Sequence, residues 1–533
     1  MAQGTQSGPG SAAPAQETQQ GPAWFVAPLV ALAAFMEVMD ISIANVSLVH
    51  IAGNLSATKE EATWVLTSYL VTNAIVLPMS GWLSGVMGRK RFFVTCIVCF
   101  SVFSLLCGAA PSLGTLVIFR ALQGAAGGGL QPTSQAMLAD YYPPSQRGRA
   151  FAFYGVAVVF APTLGPTLGG WITQHMSWRW VFFINVPVGI LLVFLILTVL
   201  PNVAGQRKRS GRPARIDYMG FAFLALGMGA LQIMLDRGER DDWFASHFIV
   251  ALAVISVLGF AALIVWELRH EAPMVEMRLF RNRSFAIANL FMFVLGFALL
   301  GSTELIPQFV QSLLGFTTTD AGLVIMPGRF LTMILMPIAG RLTDKLDPRW
   351  LIIYGFAIGS LALYHMSGFN LQSDFWTVAL ARVMLASGLP FLFLPITTAG
   401  YIGVPSDKND EASALINMSR NVGGSVGISI LTTILARRSQ YHQSVLTGHA
   451  TPFSAPYHHL LNVLQAAGAS TQQAIAMIYQ IVQQQARMLA YVDDFRFLSA
   501  MFLAMIPLVL VLRHRSAPDE AAAENAGSEA TEG

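Results

Sequence analysis

Charge is what this chain has least of. Asp, Glu, Lys and Arg make up 11% of its residues, while 54% are apolar; ordinary soluble domains carry about 25% charged residues. A soluble protein with one anchor is excluded, and the balance is that of a polytopic membrane protein. Cysteine is scarce too. Cys96, Cys99 and Cys107 all fall in one apolar run, where a CxxC pair lacks the electropositive, accessible setting that thiol reactivity needs. They read as small packing residues, with no disulfide framework. The net charge of +3 gives nucleic-acid binding no support. Residues 1–23 contain no Lys or Arg, which excludes the basic n-region of a secretory signal. They and the acidic, Ala-rich tail at 514–533 are expected to be disordered cytoplasmic segments. The alternating ten-residue segments of a transmembrane barrel are missing, as are nucleophile–base sets, metal-ligand spacings and phosphate loops. His270, His365 and His514 are isolated near membrane edges, and His458 and His459 sit in a loop. They read as surface residues, not ligands.

Long apolar runs are what the chain does have. Scanning for stretches of about 20 residues gives spans near 28–49, 62–86, 92–110, 115–138, 149–172, 179–200, 216–235, 247–267, 285–308, 319–340, 350–368, 376–398, 411–435 and 496–513. The expected fold class is therefore all-α, with fourteen transmembrane helices. Twenty Lys and Arg residues fall in loops on one side, eight on the other and four inside spans. Because positive residues are retained in the cytoplasm, both termini are expected inside. The basic stretches RKRSGRPAR (207–215) and WELRHEAPMVEMRLFRNR (266–283) divide the spans into six plus two plus six. The expected organisation is a six-helix bundle at 24–200, a linker with an extra hairpin at 201–283, and a second six-helix bundle at 284–513. GWLSGVMGRKR (81–91) and GRLTDKL (340–346) echo one another at corresponding places, as expected of the repeats of secondary transporters. The second bundle includes a long outer connection, 436–495, with amphipathic stretches at 457–467 and 471–491. It is read as a partner-docking element or as a cap over the outer mouth.

Carboxylates at bilayer depth are the candidate functional groups. Glu37 and Asp40 stand three residues apart in the first span, on one helix face with Ala44 and Ser47. An acid there costs roughly 2.5–3.5 kcal/mol even on lenient insertion scales, so it normally faces a partner or a polar cavity. In the fourth span Arg120, Gln123, Gly127, Gln131 and Ser134 form a polar stripe. A guanidinium near Asp40 cannot lose its proton, so loading that acid would require the pair to separate or hydrate. The alternative is a permanent structural ion pair. In the thirteenth span Ser413, Asn417, Arg420 and Gly424 form a second stripe, where Arg420 needs an acid or carbonyls; Asp40 or Glu37 are candidates. Glu304 is either a substrate-cation or proton site or a hydrated mouth residue. Arg329 and Arg382 read as structural, placed where a long side chain can snorkel. In GVAVVFAPTLGPTLGG (155–170), small residues at Ala161, Gly165 and Gly169 set beside Pro162 and Pro166 mark a close helix crossing.

These motifs resemble a known family. GPTLGG, with Pro162, Gly165, Pro166, Gly169 and Gly170, is similar to the antiporter signature of the major facilitator superfamily. MDISIANV (39–46) resembles the first-helix motif of its fourteen-span drug:proton antiporters. Arg120, Gln123 and Gly124 match the RxxQG motif, and SWRWVFFINVPVG (177–189) resembles the start of helix 6. The resemblance covers roughly residues 24–513. LQIMLDRGERDDWF (231–244) and the long outer loop look most like the EmrB-type inner-membrane multidrug pumps. Gly85 stands where the family commonly has Asp, so the latch attributed to that acid should be weakened or replaced.

The resemblance implies a proton-driven antiporter of the major facilitator fold in the bacterial inner membrane, with no cofactor beyond the proton gradient. It would export amphipathic compounds, with Asp40, Arg120 and Glu37 coupling protons and Gln123, Gln131, Glu304, Asn417 and Arg420 along the substrate pathway. A periplasmic adaptor and an outer-membrane channel are implied partners, alongside the lipid bilayer. The alternatives are a dedicated exporter of one metabolite or siderophore, and a membrane receptor or enzyme on a transporter-like scaffold.

Overall fold

The computed structural model describes residues 25–143, 145–200, 217–270 and 273–512. The expected tails and the basic linker at 207–215 lie outside them. The first group of helices comprises α1 (Val26–Asn54), α2 (Lys59–Ala62), α3 (Trp64–Met87), α4 (Arg89–Ala109), α5 (Leu113–Gly127), α6 (Leu130–Tyr141), α7 (Arg147–His175), α8 (Trp180–Phe183) and α9 (Asn185–Val199). A hairpin of α10 (Tyr218–Arg237) and α11 (His247–Arg269) follows. The last group comprises α12 (Arg283–Ser312), α13 (Thr318–Lys345), α14 (Pro348–Met366), α15 (Phe375–Gly388), α16 (Pro390–Ala399), α17 (Asn409–His449), α18 (Ala455–Ala466) and α19 (Thr471–Val509).

The helices follow from the solvent. Lipid offers no hydrogen bonds, so an apolar run must satisfy its backbone internally. Each of the fourteen apolar stretches falls on one helix or on an interrupted pair, and among the described residues ten helices are long and apolar enough to cross a bilayer. The other four stretches fall on α5–α6, α14, α17 and α19, which are interrupted or diluted with polar residues. The interruptions have local causes. Gly127, Gly128 and Gly129 separate α5 from α6, and Pro390 opens α16. Ser112, Thr317 and Ser470 start α5, α13 and α19 with capping boxes.

Within the first group α1 packs on α7, α3 on α5, and α4 on α5 and α9. Within the last group α12 packs on α17, and α19 on α14 and α17. Two buried aromatic clusters tie the last group together: Phe291, Phe356 and Phe502 join α12, α14 and α19, and Phe309, Phe369 and Phe495 join α12 and α19 with the turn after α14, ring centroids 5.3–6.3 Å apart. The groups meet where α7 packs on α13 and α16, and where α17 packs on α3 and α6. The hairpin rests on α3 and α17 through α10.

The long connection at 436–495 is mostly a continuation of two helices. α17 and α19 have 41 and 39 residues, roughly 60 Å each at 1.5 Å per residue, twice the hydrocarbon thickness. Of the expected amphipathic stretches, the first is α18, which packs on α19, and the second runs unbroken into the last apolar stretch. Its face is only half used, since Ile478 is buried but Ile475 is exposed. Asp493 on α19 accepts from Arg438 Nε at 2.6 Å and lies 2.8 Å from His442 Nε2, holding the α17 and α19 extensions together.

Candidate functional site

Asp40 is fully buried inside the first group. Its Oδ2 accepts from Arg120 Nη1 at 2.6 Å, and its Oδ1 accepts from Asn185 Nδ2 at 2.6 Å and Gln123 Nε2 at 3.1 Å. Arg120, itself fully buried, also donates from Nη1 to Gln123 Oε1 at 2.9 Å and from Nε to the Val65 carbonyl at 3.2 Å. Its guanidinium stacks 4.2 Å from the centre of the Tyr69 ring. Four helices thus converge on one carboxylate: α1 supplies it, α5 and α9 its donors, and α3 the carbonyl and ring behind Arg120. The expected Asp40–Arg120 pairing is present. Asn185 is a partner the sequence does not signal, although it lies inside SWRWVFFINVPVG (177–189); a neutral amide within an apolar run gives no charge signal. Ser104, which accepts from Asn185 Nδ2 at 3.0 Å, goes unsignalled for the same reason.

Glu37, Asp40, Ala44 and Ser47 are all buried, but the two acids serve different clusters. Glu37 Oε1 accepts from Asn73 Nδ2 on α3 at 3.0 Å. The polar stripe of the fourth span is likewise divided at the Gly127–Gly129 break. Arg120 and Gln123 stay with Asp40; beyond the break Ser134 Oγ donates to the Val30 carbonyl at 3.2 Å, and Gln131 turns to the junction between the groups. There Gln131 Oε1 accepts from Tyr154 Oη at 3.3 Å and from Arg420 of α17. Of the acids or carbonyls open to Arg420, it takes a side-chain carbonyl, and among the described residues it forms no ion pair with Asp40 or Glu37. Its partners are an amide oxygen and the Phe393 ring, 5.8 Å away. One turn along, Asn417 Nδ2 donates to Gln135 Oε1 at 2.7 Å, and Ser413 Oγ donates to the Pro132 carbonyl at 2.6 Å. The second stripe is thus a seam against α6.

The helix crossing expected at the GPTLGG motif is the contact of α7 with α1. A Cβ on Gly165 would stand 2.3 Å from Ser42 Oγ, and one on Gly169 3.1 Å from Ile43 Cγ2. Ser42 Oγ donates to the Pro162 carbonyl at 3.5 Å, a carbonyl left free by the proline four residues on. Gly170 takes no part, since a Cβ there would meet nothing within 4 Å. The Pro166 side chain lies outside what is described.

At one end of the bundle the groups are joined by charge. Arg89 forks onto Asp410 of α17, Nε to Oδ1 at 2.7 Å and Nη2 to Oδ2 at 2.6 Å, and also pairs with Asp140 of α6. The acid missing at Gly85 is thus replaced by acids from two other helices, which loop sequence alone could not reveal. In the echoing position Asp344 Oδ1 accepts from the Gly148 amide at 2.8 Å. Glu304 is exposed, accepting from Gln308 Nε2 at 2.8 Å. Arg382 does not snorkel: it is 4% exposed and donates to Ser302 Oγ at 3.3 Å. Arg329 donates to Thr163 Oγ1 at 2.9 Å, from α13 across to α7.

Two helix groups joined at a polar seam, with a charge pair sealed inside one of them and lipid-length apolar helices around it, are the build of a multi-pass membrane protein. The Major Facilitator Superfamily model matches residues 30–428. The chain is 38% identical to the multidrug export protein EmrB of Escherichia coli (strain K12), covering 90% of this chain and 93% of that one. It is 37% identical to the fatty acid resistance protein FarB of Neisseria gonorrhoeae, over 91% and 95% respectively. The crystal structure of the human organic anion transporter MFSD10 (TETRAN) shares the fold, with a TM-score of 0.61 at 14% identity over 92% of this chain and 99% of that one. The chain belongs to the major facilitator superfamily, among the EmrB-type drug transporters.

Proposed function

We propose that the protein is a proton-coupled antiporter that exports amphipathic compounds by alternating access between its two helix groups. The observation that carries this reading is Asp40, a carboxylate without solvent contact whose two oxygens are held by a cation and two amides. Arg120 keeps its proton at any physiological pH, so Asp40 is the member of the pair that can load and release one. Magnitudes set the condition for doing so. A proton entering across 100 mV contributes about 2.3 kcal/mol, comparable to one charge-assisted hydrogen bond of about 1.5–3 kcal/mol. One proton therefore offsets the loss of one donor, not of three. Loading Asp40 must accompany a rearrangement in which Arg120, Gln123 and Asn185 find other acceptors or water, and that links protonation to a change of shape. Glu37 and the Gln131–Arg420 and Gln135–Asn417 contacts stand at the seam such a change would open, and in our reading line the substrate path.

The names of the relatives, multidrug export and fatty acid resistance, support amphipathic cargo. In this reading the chain crosses the bacterial inner membrane fourteen times as six, two and six spans, with both termini and the Arg89 junction in the cytoplasm. The joined Arg89, Asp140 and Asp410 side chains are then the closed cytoplasmic gate. The α17–α19 extension projects outward, where the exposed Phe453, Ile475 and Tyr479 suit docking of a periplasmic adaptor leading to an outer-membrane channel. The test is reconstitution in vesicles with an imposed pH gradient and a chemically diverse dye set. Several unrelated amphipathic dyes should each drive proton release. Release by one metabolite alone would replace this reading with that of a dedicated exporter, and uptake or efflux without proton movement would refute antiport.

A further inference from the structure

We propose that the turn of the α10–α11 hairpin, residues 236–243, is a clasp between the two helix groups, set opposite the Arg89 junction and released at Trp243 when the groups part. The proposal rests on the alternating-access reading above and adds a part to it. The hairpin belongs to neither group, yet its turn bonds to both. On the side of the first group, Thr67 Oγ1 of α3 donates to Asp236 Oδ2 at 2.7 Å, and Arg240 Nη1 donates to Thr63 Oγ1 at 3.4 Å. The Arg237 guanidinium lies 5.7 Å from the centre of the Trp64 ring. On the side of the last group, Trp243 Nε1 donates to Thr433 Oγ1 of α17 at 2.9 Å, and Arg437 stands 3.9 Å from Asp242. Along α3 and α17, Thr67 and Thr433 lie roughly 30 and 35 Å from the Arg89–Asp410 contact, about the thickness of the hydrocarbon layer.

Relative strength decides which side lets go. A hydrogen bond to a carboxylate is roughly twice as strong as a neutral one, so Asp236 ties the hairpin to α3 more firmly than the indole ties it to α17. The Arg437–Asp242 pair is exposed and adds little. The hairpin is stiff enough to move as one piece: a Cβ on Gly259 would stand 2.7 Å from the Gly227 amide nitrogen, so α10 and α11 touch backbone to backbone. It therefore stays with the first group and breaks from Thr433. Two features ease that break. Trp243 Nε1 also donates to Glu239 Oε2 at 3.2 Å within the same turn, so the indole keeps an acceptor after leaving α17. Asp242 and Trp243 have φ of 56° and 48°, a region that a bulky side chain seldom adopts. The Trp243 amide, donating to the Gly238 carbonyl at 2.7 Å, holds that shape, and strain so held weighs against the closed turn. Because the groups rock about the seam between them, parting at Thr433 keeps the Arg89 end shut, and the reverse.

The test is hydrogen exchange of the full chain in nanodiscs, read peptide by peptide by mass spectrometry. Thr433→Val removes the acceptor at nearly constant shape, and Trp243→Phe removes the donor. Each should speed exchange at 63–70 and 429–437 about fivefold, the worth of one neutral hydrogen bond, and slow it at 84–92 and 408–413. The two together should do no more than either alone, since they remove the same bond. Asp410→Asn, which weakens the opposite end, should give the reverse pattern. Faster exchange confined to 236–246 with the Arg89 end unmoved would make the turn an ordinary packed loop and overturn the proposal, as would effects of the pair that simply add. The full reciprocal pattern in a protein that releases no proton with any dye would sink the antiport reading and leave the clasp standing.

Discussion

Asp40→Asn changes one atom's identity and removes the one carboxylate among the described residues that pairs with the fully buried guanidinium of Arg120. Arg120 would keep the Val65 carbonyl, the Gln123 amide oxygen and the Tyr69 face, but none of these carries a charge. Leaving a buried cation without its partner costs roughly 3–5 kcal/mol. Removing both charges in Asp40→Asn/Arg120→Gln should recover much of that, so the double variant should be more stable than the sum of the two single losses by roughly 2 kcal/mol, within the range measured for side chains in one network. Proton coupling separates from stability here. Both Asp40→Asn and the double variant should show no substrate-dependent proton release in vesicles, although the double variant is well folded. The measurements are unfolding midpoints in nanodiscs and proton release under an imposed pH gradient. Two results would refute the reasoning: proton release retained by inserted Asp40→Asn, or single and double losses that simply add.

The α1–α7 crossing should be equally sensitive to volume. Gly165→Ala places a methyl 2.3 Å from Ser42 Oγ and should cost about 1–3 kcal/mol, with partial rescue by Ser42→Gly, whereas Gly170→Ala should leave the unfolding midpoint unchanged; a neutral Gly165→Ala would remove the crossing from the account. The α17–α19 extension should respond to acid. Burial opposes ionisation of Asp493, but hydrogen bonds from Arg438 and His442 outweigh it and hold this carboxyl below its ordinary value. A lowered folded value means the stabilisation is present above the ordinary carboxylate range and fades as pH falls through the folded value. Protease access to residues 436–449 should therefore stay low from pH 7 to about 4 and rise only below that, and Asp493→Asn should already be accessible at pH 7; identical profiles for the two would discard the bridge.

Much of the architecture was legible in the sequence because lipid leaves few choices. An apolar run of spanning length must be a helix, and the positions of such runs and of the basic linkers follow from composition read along the chain. The chemistry-bearing residues of helix 1 and helix 4 were legible for a related reason: a charge in hydrocarbon is rare and conspicuous, so Asp40 and Arg120 announced each other. Partners without charge did not. Asn185 and Asn73 are amides inside runs that read as ordinary spans, and nothing in their spacing says which carboxylate each will meet.

What the sequence determined alone is the number of apolar runs, their order and which of them carry ionisable groups, since these depend on transfer from water to lipid residue by residue. Only the tertiary structure decided who pairs with whom. It sent Glu37 to Asn73 and Asp40 to Arg120, Gln123 and Asn185, turned Arg420 to Gln131, gave Arg89 the acids its own loop lacks, and set Arg329 against Thr163 and Arg382 against Ser302. Those choices rest on contacts between helices far apart in the chain, which the spacing along any one helix does not encode.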